Sequence, residues 1–415
     1  MVDVALPAST ASTLVLLGAA VCLLGASAPP EPDPPKKRPA ALLPALGFNP
    51  DDGLGLGLFG DIEARAAEGE ARRHRYRFGL SARVWLRPPQ VGWEARVGMS
   101  WFPQPSGDTE IQAAFVTYGR PGDWWFGLGQ DTLRDRRRET EDDPVKDYWH
   151  RFMQFQLRFD GRIFRRLVGP LDGFGGLRIT GTWIRQRPNT LLAVQAEDVA
   201  IPGLGGGPTV AFDGGLRIDT RDWRLDPTQG GLVLGVAQAN LGPDGPWGRF
   251  VADLRGYLGT PKGEVVFAGE VLLQVAVGDV PFYEQGVIAG FELNERAMTG
   301  LFGARALDRG RLRGPLGLLL HHETRFRPPG FQLFEFLRVR FEPVIWVDAV
   351  RVDVPGRLGE GPALQPSFGS GFMTYFNEVT VARVNIGTAP EQMIDADGLR
   401  TRWTFGVYSN VGHAF

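Results

Sequence analysis

The chain has 415 residues, of which 43% are hydrophobic, 22% are charged and 56 are glycine, and its formal net charge is −2. A net charge this close to zero gives no reason to expect a nucleic-acid partner. The high glycine content and the 11% aromatic share favour a β-rich chain with many turns, long enough for one large domain or two ordinary ones.

The first 28 residues have the pattern of a secretory signal peptide. An apolar run, Leu14–Gly25, precedes Ala26-Ser27-Ala28, an Ala-x-Ala site that predicts cleavage after Ala28. The alternative is a membrane anchor, but the run is shorter than the roughly 20 residues that a spanning helix needs. The only cysteine, Cys22, lies in this run within a poor lipoprotein box, so the exported protein is expected to contain neither a lipid anchor nor a disulfide.

Residues 29–43 are rich in proline and are predicted to form a linker, with the folded domain spanning residues 44–415. No later segment is long and apolar enough for a transmembrane helix. A membrane protein with this sequence would therefore have to be a β-barrel.

Residues 75–87 alternate strictly between an apolar face, which includes Tyr76 and Phe78, and a face with arginines such as Arg77 and Arg83. Residues 93–101 repeat the alternation after a proline turn. Soluble sandwiches also alternate, but their strands are typically about 5–6 residues long, whereas strands of about 10–13 residues are typical of a barrel with lipid outside and water inside.

The same pattern recurs along the chain, with short turns such as 120–123 alternating with long polar loops such as 278–314. The first strand is placed at Leu54–Gly60, and about 16 strands fit between residues 53 and 415, an even number as bacterial barrels require. The predicted fold is all-β: a transmembrane antiparallel β-barrel with a long loop folded into its lumen.

Motifs for enzyme chemistry are weak. Gly55, Gly57 and Gly60 match a dinucleotide fingerprint, but their alternation with leucines indicates a strand. His321 and His322 are adjacent in a predicted strand and point to opposite faces, so they cannot share a metal ion. We therefore expect no catalytic residue, metal site or cofactor, and a barrel enzyme acting on lipids is not supported.

Residues 215–230 contain Asp219, Arg221 and Asp222, followed by Pro227 and Gly230. Proline and glycine favour a tight turn, and the charged side chains can cross-link it by hydrogen bonds. The whole string resembles the Asp-Thr-Arg-Asp…Pro-Thr-x-Gly hairpin of the bacterial surface antigen family, the BamA/TamA-like outer-membrane barrels.

Residues 304–314, Ala-Arg-Ala-Leu-Asp-Arg-Gly-Arg-Leu-Arg-Gly, are similar to the long sixth loop of that family, whose motif is Val-Arg-Gly-Phe/Tyr. Arg305 is kept, while Ala306 replaces the usual glycine and Leu307 the usual aromatic residue. Residues 345–350 are similar to the inward strand motif Phe-x-Asp-x-Gly, with Val350 in place of glycine. The resemblance implies that Asp348 receives Arg305 inside the barrel. The alternative is an ordinary solvated loop rich in arginine.

The resemblance implies a monomeric protein of the bacterial outer membrane that takes part in protein assembly or translocation, with outer-membrane lipid and client polypeptides as partners. The periplasmic POTRA domains of the family are expected to be missing. Polypeptide or lipid would pass through a lateral seam, for which the candidates are Gly55 and Gly57 in the first strand and Gly412 and Phe415 at the end of the last. The alternative is a non-catalytic pore or structural barrel without insertase activity.

Overall fold

The structure is a computed structural model that describes residues 40–49, 53–65, 74–87, 90–104, 108–138, 149–224, 226–288, 296–300, 302–335, 337–357, 364–377 and 380–411. The predicted signal peptide, residues 29–39 of the predicted linker, Gly412 and Phe415 lie outside these ranges.

Strands make up most of the described chain. A 3₁₀ helix covers Arg136–Arg138, and the α-helix α1 begins after the capping residue Thr190 and covers Leu191–Asp198. No described helix is long and apolar enough to cross a membrane. The strands are β1 (Ala40–Asn49), β2 (Gly53–Arg65), β3 (His74–Arg87), β4 (Gln90–Trp101), β5 (Thr109–Trp124), β6 (Arg134–Asp135), β7 (Arg151–Val168), β8 (Leu171–Arg185), β9 (Gly206–Asp219), β10 (Gln229–Leu241), β11 (Pro246–Gly259), β12 (Val265–Gly278), β13 (Val287–Ile288), β14 (Arg296–Ala297), β15 (Leu316–Phe326), β16 (Phe331–Phe334), β17 (Leu337–Asp353), β18 (Gln365–Phe376), β19 (Thr380–Asp395) and β20 (Gly398–Val411).

Sixteen of the described strands have ten or more residues, and each of the first fifteen pairs antiparallel with the next long strand along the chain. The sheet curls until Cα atoms of β1 and β20 lie within 8 Å of each other. Among the described residues, no backbone pairing joins these two strands. The prediction of an all-β, antiparallel fold is confirmed.

The two faces of the sheet are inverted relative to a water-soluble protein. The apolar face predicted for β3 points outward, since Tyr76, Phe78 and Leu86 are between 37% and 49% exposed. Charged side chains such as Arg158 and Asp160 of β7 are buried on the opposite face. The curled sheet therefore encloses a polar interior.

The long connections, 125–150, 186–205, 279–315 and 354–364, all follow strands that run in the same direction, so their described residues lie together at one end of the sheet, which we call the loop end. The opposite end, the turn end, holds shorter connections such as residues 169–170. The four long connections share one end as the sequence predicted, but two-residue turns lie at both ends, for example residues 169–170 at the turn end and residues 396–397 at the loop end.

Two predicted boundaries are wrong. The first strand is not Leu54–Gly60: β1 precedes it and begins at Ala40, inside the predicted linker, and it pairs with β2 from Ala40↔Ile62 to Asn49↔Gly53. Proline is tolerated in β1 because a strand at the edge of a sheet need not donate on both sides. The predicted turn at 120–123 is instead a bulge within β5, where the register with β7 shifts between Arg120 and Asp123.

Candidate functional site

The described parts of the connection between β12 and β15, residues 279–288, 296–300 and 302–315, fold into the interior, and we call them the inserted loop. It contacts strands on several sides of the sheet: Arg309 reaches Asp123 of β5, and Tyr408 of β20 donates to the carbonyl oxygen of Leu307. The arginine-rich segment is not a solvated surface loop, because Arg305 is 0% exposed and Arg313 is 3% exposed.

Arg305 is held by two buried carboxylates. Its Nη2 and Nε lie 2.6 Å and 2.7 Å from the two carboxylate oxygens of Asp348, and its backbone N–H donates to Oδ2 at 3.0 Å. Its Nη1 donates to Oε1 of Glu323 at 2.6 Å. The guanidinium carbon lies 4.2 Å from the ring centroid of Trp346. The structure thus brings together the two residues that the resemblance paired.

This arrangement satisfies the condition under which a buried ion pair is tolerated. Removing charges from water costs several kcal/mol per ion. The attraction between the charges offsets this cost only when their geometry is good and their remaining hydrogen-bonding groups are also paired. Arg305 makes a bidentate contact with one carboxylate and a further bond to a second, which is geometry that lysine cannot reproduce.

The sequence did not reveal the wider network around this pair. Nδ1 of His321 lies 2.7 Å from Oδ1 of Asp348, and its Nε2 lies 3.6 Å from Oε2 of Glu270. Glu270, His321 and Asp348 stand opposite one another on β12, β15 and β17. In the sequence these three residues are polar side chains at inward-facing strand positions, but only the register of the strands places them side by side.

The network is balanced in charge when His321 is neutral. Four guanidinium groups interlock with four carboxylates across the curled sheet and the inserted loop, so no formal charge is left over. The members are Arg255, Arg305, Arg325 and Arg383 with Asp253, Glu270, Glu323 and Asp348. The inserted loop supplies one of these eight groups, and its removal would leave the wall with an excess of negative charge.

Residues after Arg305 depart from the motif that they resemble, and the structure shows how they are accommodated. Ala306 has φ of +68°, a left-handed conformation that glycine adopts more readily. Leu307 and Val350 are 2% and 0% exposed and belong to one buried apolar cluster. Leu307 is smaller than the aromatic residue of the motif, and Val350 is larger than its glycine. Both side chains are buried in the same cluster.

Three connections pack together at the loop end. Trp125, Phe152, Leu192 and Phe282 form a buried cluster drawn from the connection after β5, from β7, from α1 and from the inserted loop. Beside it, burial lowers the pKa of His150 to about 3, and the neutral ring fits its contacts, with Nδ1 3.2 Å from a carbonyl oxygen and Nε2 3.1 Å from a backbone N–H. The beginning of the inserted loop thus packs against the two other connections at this end.

The predicted hairpin motif forms the turn between β9 and β10. Arg221 donates to both oxygens of Asp219, at 2.9 Å and 3.0 Å, and Asp222 accepts from the backbone N–H of Thr228 at 2.9 Å. Pro227 is buried, and Gly230 has φ of +88°. All five predicted residues therefore take part in one turn.

Asp226, which the sequence did not single out, extends this turn across the turn end. Its Oδ1 accepts from the hydroxyl of Tyr375 on β18 at 3.1 Å, and its Oδ2 contacts Arg327 and Arg340 on the far side of the sheet. The hairpin thus closes part of the interior opposite to the inserted loop.

The predicted seam residues do not face the last strand. Gly57 lies in β2, opposite Ala45 of β1 and Arg83 of β3, and Gly55 lies in the same strand. That prediction is wrong because β1 separates these glycines from β20. Gly412 and Phe415 lie outside the described residues.

Within the described part of the chain, no group of three His, Cys, Asp or Glu side chains is placed to hold a metal ion. His321 is buried and His322 is exposed, on opposite faces of β15 as their spacing predicted.

The fold is similar to those of two solved proteins. CdiB from Escherichia coli aligns with a TM-score of 0.52 and 11% identity over 92% of this chain and 66% of that one. CdiB from Acinetobacter baumannii aligns with a TM-score of 0.50 and 12% identity over 91% of this chain and 60% of that one. This chain therefore spans less than two thirds of the length of either CdiB.

BamA from Haemophilus ducreyi lacking POTRA domains 1–3 aligns over 99% of this chain and 80% of that one, at 12% identity with a TM-score of 0.49. The sequence matches no family profile and none of the curated proteins. At these identities the likeness to CdiB concerns the fold, and we accordingly describe the curled sheet as a β-barrel.

Proposed function

We propose that the protein is a β-barrel of the bacterial outer membrane, of the protein assembly or translocation type, and that a polypeptide client leaves it sideways into the bilayer between β1 and β20. The observation that carries the proposal is the junction between these strands. They lie side by side, yet within the described residues theirs is the one junction between neighbouring long strands without a backbone ladder.

The outward face supports a membrane location. Side chains such as Phe115, Phe159, Ile163 and Trp183 are 45–56% exposed on neighbouring strands. Monomeric soluble proteins rarely expose contiguous apolar patches of more than a few hundred Å², and a lipid environment satisfies such a surface. We therefore propose that this face of the protein contacts outer-membrane lipid.

The open junction supports passage of a strand. Unpaired N–H and C=O groups at a sheet edge form a template on which an incoming extended segment can pair. In hydrocarbon those groups find no water, so pairing with a client strand is more favourable there than in solution. A closed ladder at this junction would block such pairing.

The test is a reversible staple across the junction. In a Cys22→Ser background, cysteine pairs are scanned along β1 and β20 for disulfide formation, which requires Cα atoms about 5–6 Å apart. The barrel is inserted into liposomes, and the folding rate of a small client barrel is measured. We expect acceleration over empty liposomes, loss of acceleration when the staple forms, and recovery on reduction.

A matched control is a staple between Ala237→Cys and Phe250→Cys, which face each other across the continuous β10–β11 ladder. This staple should leave client folding unchanged. If the β1–β20 staple also leaves the rate unchanged, the lateral route is wrong.

The second candidate is a structural barrel or pore without insertase activity. The observation in its favour is the filled interior, in which Arg305 and its carboxylate partners are fully buried. Absence of client acceleration by the unstapled barrel would favour this second function, and ion conductance in planar bilayers would then distinguish a pore from a structural barrel whose filled interior conducts little.

A further inference from the structure

A short hairpin at the turn end carries apolar side chains beyond the end of the neighbouring strand of the barrel wall. β15 ends at Phe326, and β16 begins at Phe331 and pairs with the first residues of β17. All four residues of β16 are exposed, including Leu333 at 51% and Phe334 at 54%. We call β16 together with residues 337–341 of β17 the β16 hairpin.

The side chains of β16 continue the outward apolar face of the barrel. Phe331 lies opposite Val339 of β17, and its ring stacks on that of the exposed Phe341, with ring centroids 6.0 Å apart. The register then shifts by one residue, which places Phe334 opposite Leu337. Residues that stand opposite each other in antiparallel strands share a face, and Leu337, Val339 and Phe341 occupy alternate positions of β17. The shift therefore turns Phe334 outward, on the same face as Phe331.

Hydrogen bonds and charged side chains hold the base of the hairpin. Nε of Arg327, just before β16, donates to Oε1 of Glu342 at 2.9 Å, and Nη2 of Arg340 lies 3.2 Å from the same oxygen. The backbone N–H of Arg338 donates to the side-chain oxygen of Asn377 on β18 at 2.9 Å, and the backbone N–H of Asn377 donates to the carbonyl oxygen of Arg338 at 2.8 Å. The hairpin is therefore fixed to the barrel, and its apolar residues have a defined position along the barrel axis.

That position is at the edge of the apolar band. Toward the loop end, the first charged residue at an outward position of β17 is Arg351, which pairs with Asp353 at 2.6 Å. Phe341 precedes Arg351 by ten residues. At about 3.4 Å per residue and a strand tilt of about 35–45°, this length spans roughly 24–28 Å of membrane thickness, and the apolar band of an outer-membrane barrel is about 25 Å tall. Phe341 therefore lies at the turn-end border of the band, and β16 lies beyond it, at the level of the lipid headgroups.

We propose that the β16 hairpin is an interfacial membrane anchor, in which Phe331, Leu333 and Phe334 contact the headgroups and the first methylene groups of lipids in the leaflet at the turn end. The inference rests on the membrane location proposed above and adds a contact outside the spanning band. Outer-membrane barrels carry girdles of aromatic residues at their membrane interfaces. Because the apolar surface of the hairpin is continuous with the outward face of β17, lipid is the partner that it fits.

A fluorescent label that reports its surroundings measures the depth of the hairpin. In the Cys22→Ser background, the label is attached at Phe334→Cys, at Ile345→Cys near the middle of the outward face of β17, or at Lys262→Cys in the exposed turn between β11 and β12. The full chain is inserted into phosphatidylcholine vesicles whose lipids carry a spin label either near the headgroup or near the end of the acyl chain. We expect the shallow spin label to quench Phe334→Cys more strongly and the deep one to quench Ile345→Cys more strongly. Lys262→Cys should be quenched by iodide in the water and by neither lipid.

Leu333→Cys is a second probe that leaves both phenylalanines of β16 in place, and it should show the same order of quenching as Phe334→Cys. The proposal is overturned if both hairpin labels respond like Lys262→Cys, which would leave the hairpin in water and free for a protein partner. It is also overturned if both respond like Ile345→Cys, which would place the hairpin within the hydrocarbon. Absence of lipid quenching in Ile345→Cys as well would contradict the membrane location itself, and the anchor with it.

Discussion

The hydroxyl of Tyr408, on the last strand, donates a hydrogen bond to the carbonyl oxygen of Leu307 in the inserted loop, with an oxygen-to-oxygen distance of 3.3 Å. Thr404 on the same strand donates to the carbonyl oxygen of Ala306 at 3.1 Å. The two residues that follow Arg305 are thus tied to β20, while Arg305 itself is anchored on β15 and β17. The loop therefore connects the wall network to the strand that borders the open junction, and release of one should loosen the other.

Replacing Tyr408 by phenylalanine tests this connection. The ring that covers Gly406 is kept and only the hydroxyl is lost. A single hydrogen bond contributes about 0.5–1.5 kcal/mol, so backbone amides of β20 should exchange with solvent deuterium about two to ten times faster. Tyr76→Phe, on the outward face of β3, serves as control. Equal exchange in β20 for both variants would show that the hydroxyl does not couple loop and strand.

Arg305→Ala should have a much larger effect than any surface charge. It leaves Asp348 buried without its arginine partner and removes one of the three arginines that contact Glu323, which costs about 3–5 kcal/mol in the free energy of unfolding. Arg357→Ala removes an exposed pair and should cost at most about 1 kcal/mol. Urea unfolding in lipid vesicles measures both. We also expect ion conductance to rise in Arg305→Ala alone, and unchanged conductance would mean that the loop stays in place without its anchor.

Much of the fold follows from the sequence because lipid and water impose a simple rule on each strand. Tyr76 and Phe78 alternate with Arg77, and that alternation alone assigns the two faces of β3. The contact between Arg305 and Asp348 followed from motif resemblance rather than from the alternation, because residues 43 positions apart carry no local signal of contact.

What could not be predicted depends on register and on edges. Glu270, His321 and Asp348 form one row only because three strands pair in a particular alignment, and a shift by one residue would turn each side chain to the other face. β1 was missed because its proline resembles the linker composition. Asp226 was missed because a single aspartate in a turn is ordinary until the opposite wall supplies Arg327 and Arg340.

Ala306→Gly should stabilise the inserted loop. At φ of +68°, an alanine is strained by roughly 1 kcal/mol relative to glycine, and the substitution should raise the free energy of unfolding by about that amount. Ala304→Gly is the matched control, because Ala304 is equally buried and is not among the residues with positive φ, so glycine there should destabilise by about 0.5–1 kcal/mol. Slower proteolysis of the loop in Ala306→Gly would provide an independent readout, and a loss of stability would show that the methyl group outweighs the strain.

Gly230→Ala tests the hairpin at the turn end. Gly230 has φ of +88°, and an added Cβ would lie 2.1 Å from the carbonyl oxygen of Thr220, so the turn must shift. The strain of a left-handed alanine alone is about 1–2 kcal/mol, and displacement of the turn would further weaken the contacts of Asp226. Gly235→Ala, in the same strand with nothing within 4 Å of the new Cβ, should change stability by no more than about 0.5 kcal/mol. Urea unfolding and hydrogen exchange at residues 219–230 measure the difference. Equal behaviour of the two variants would contradict the role of this hairpin in closing the turn end.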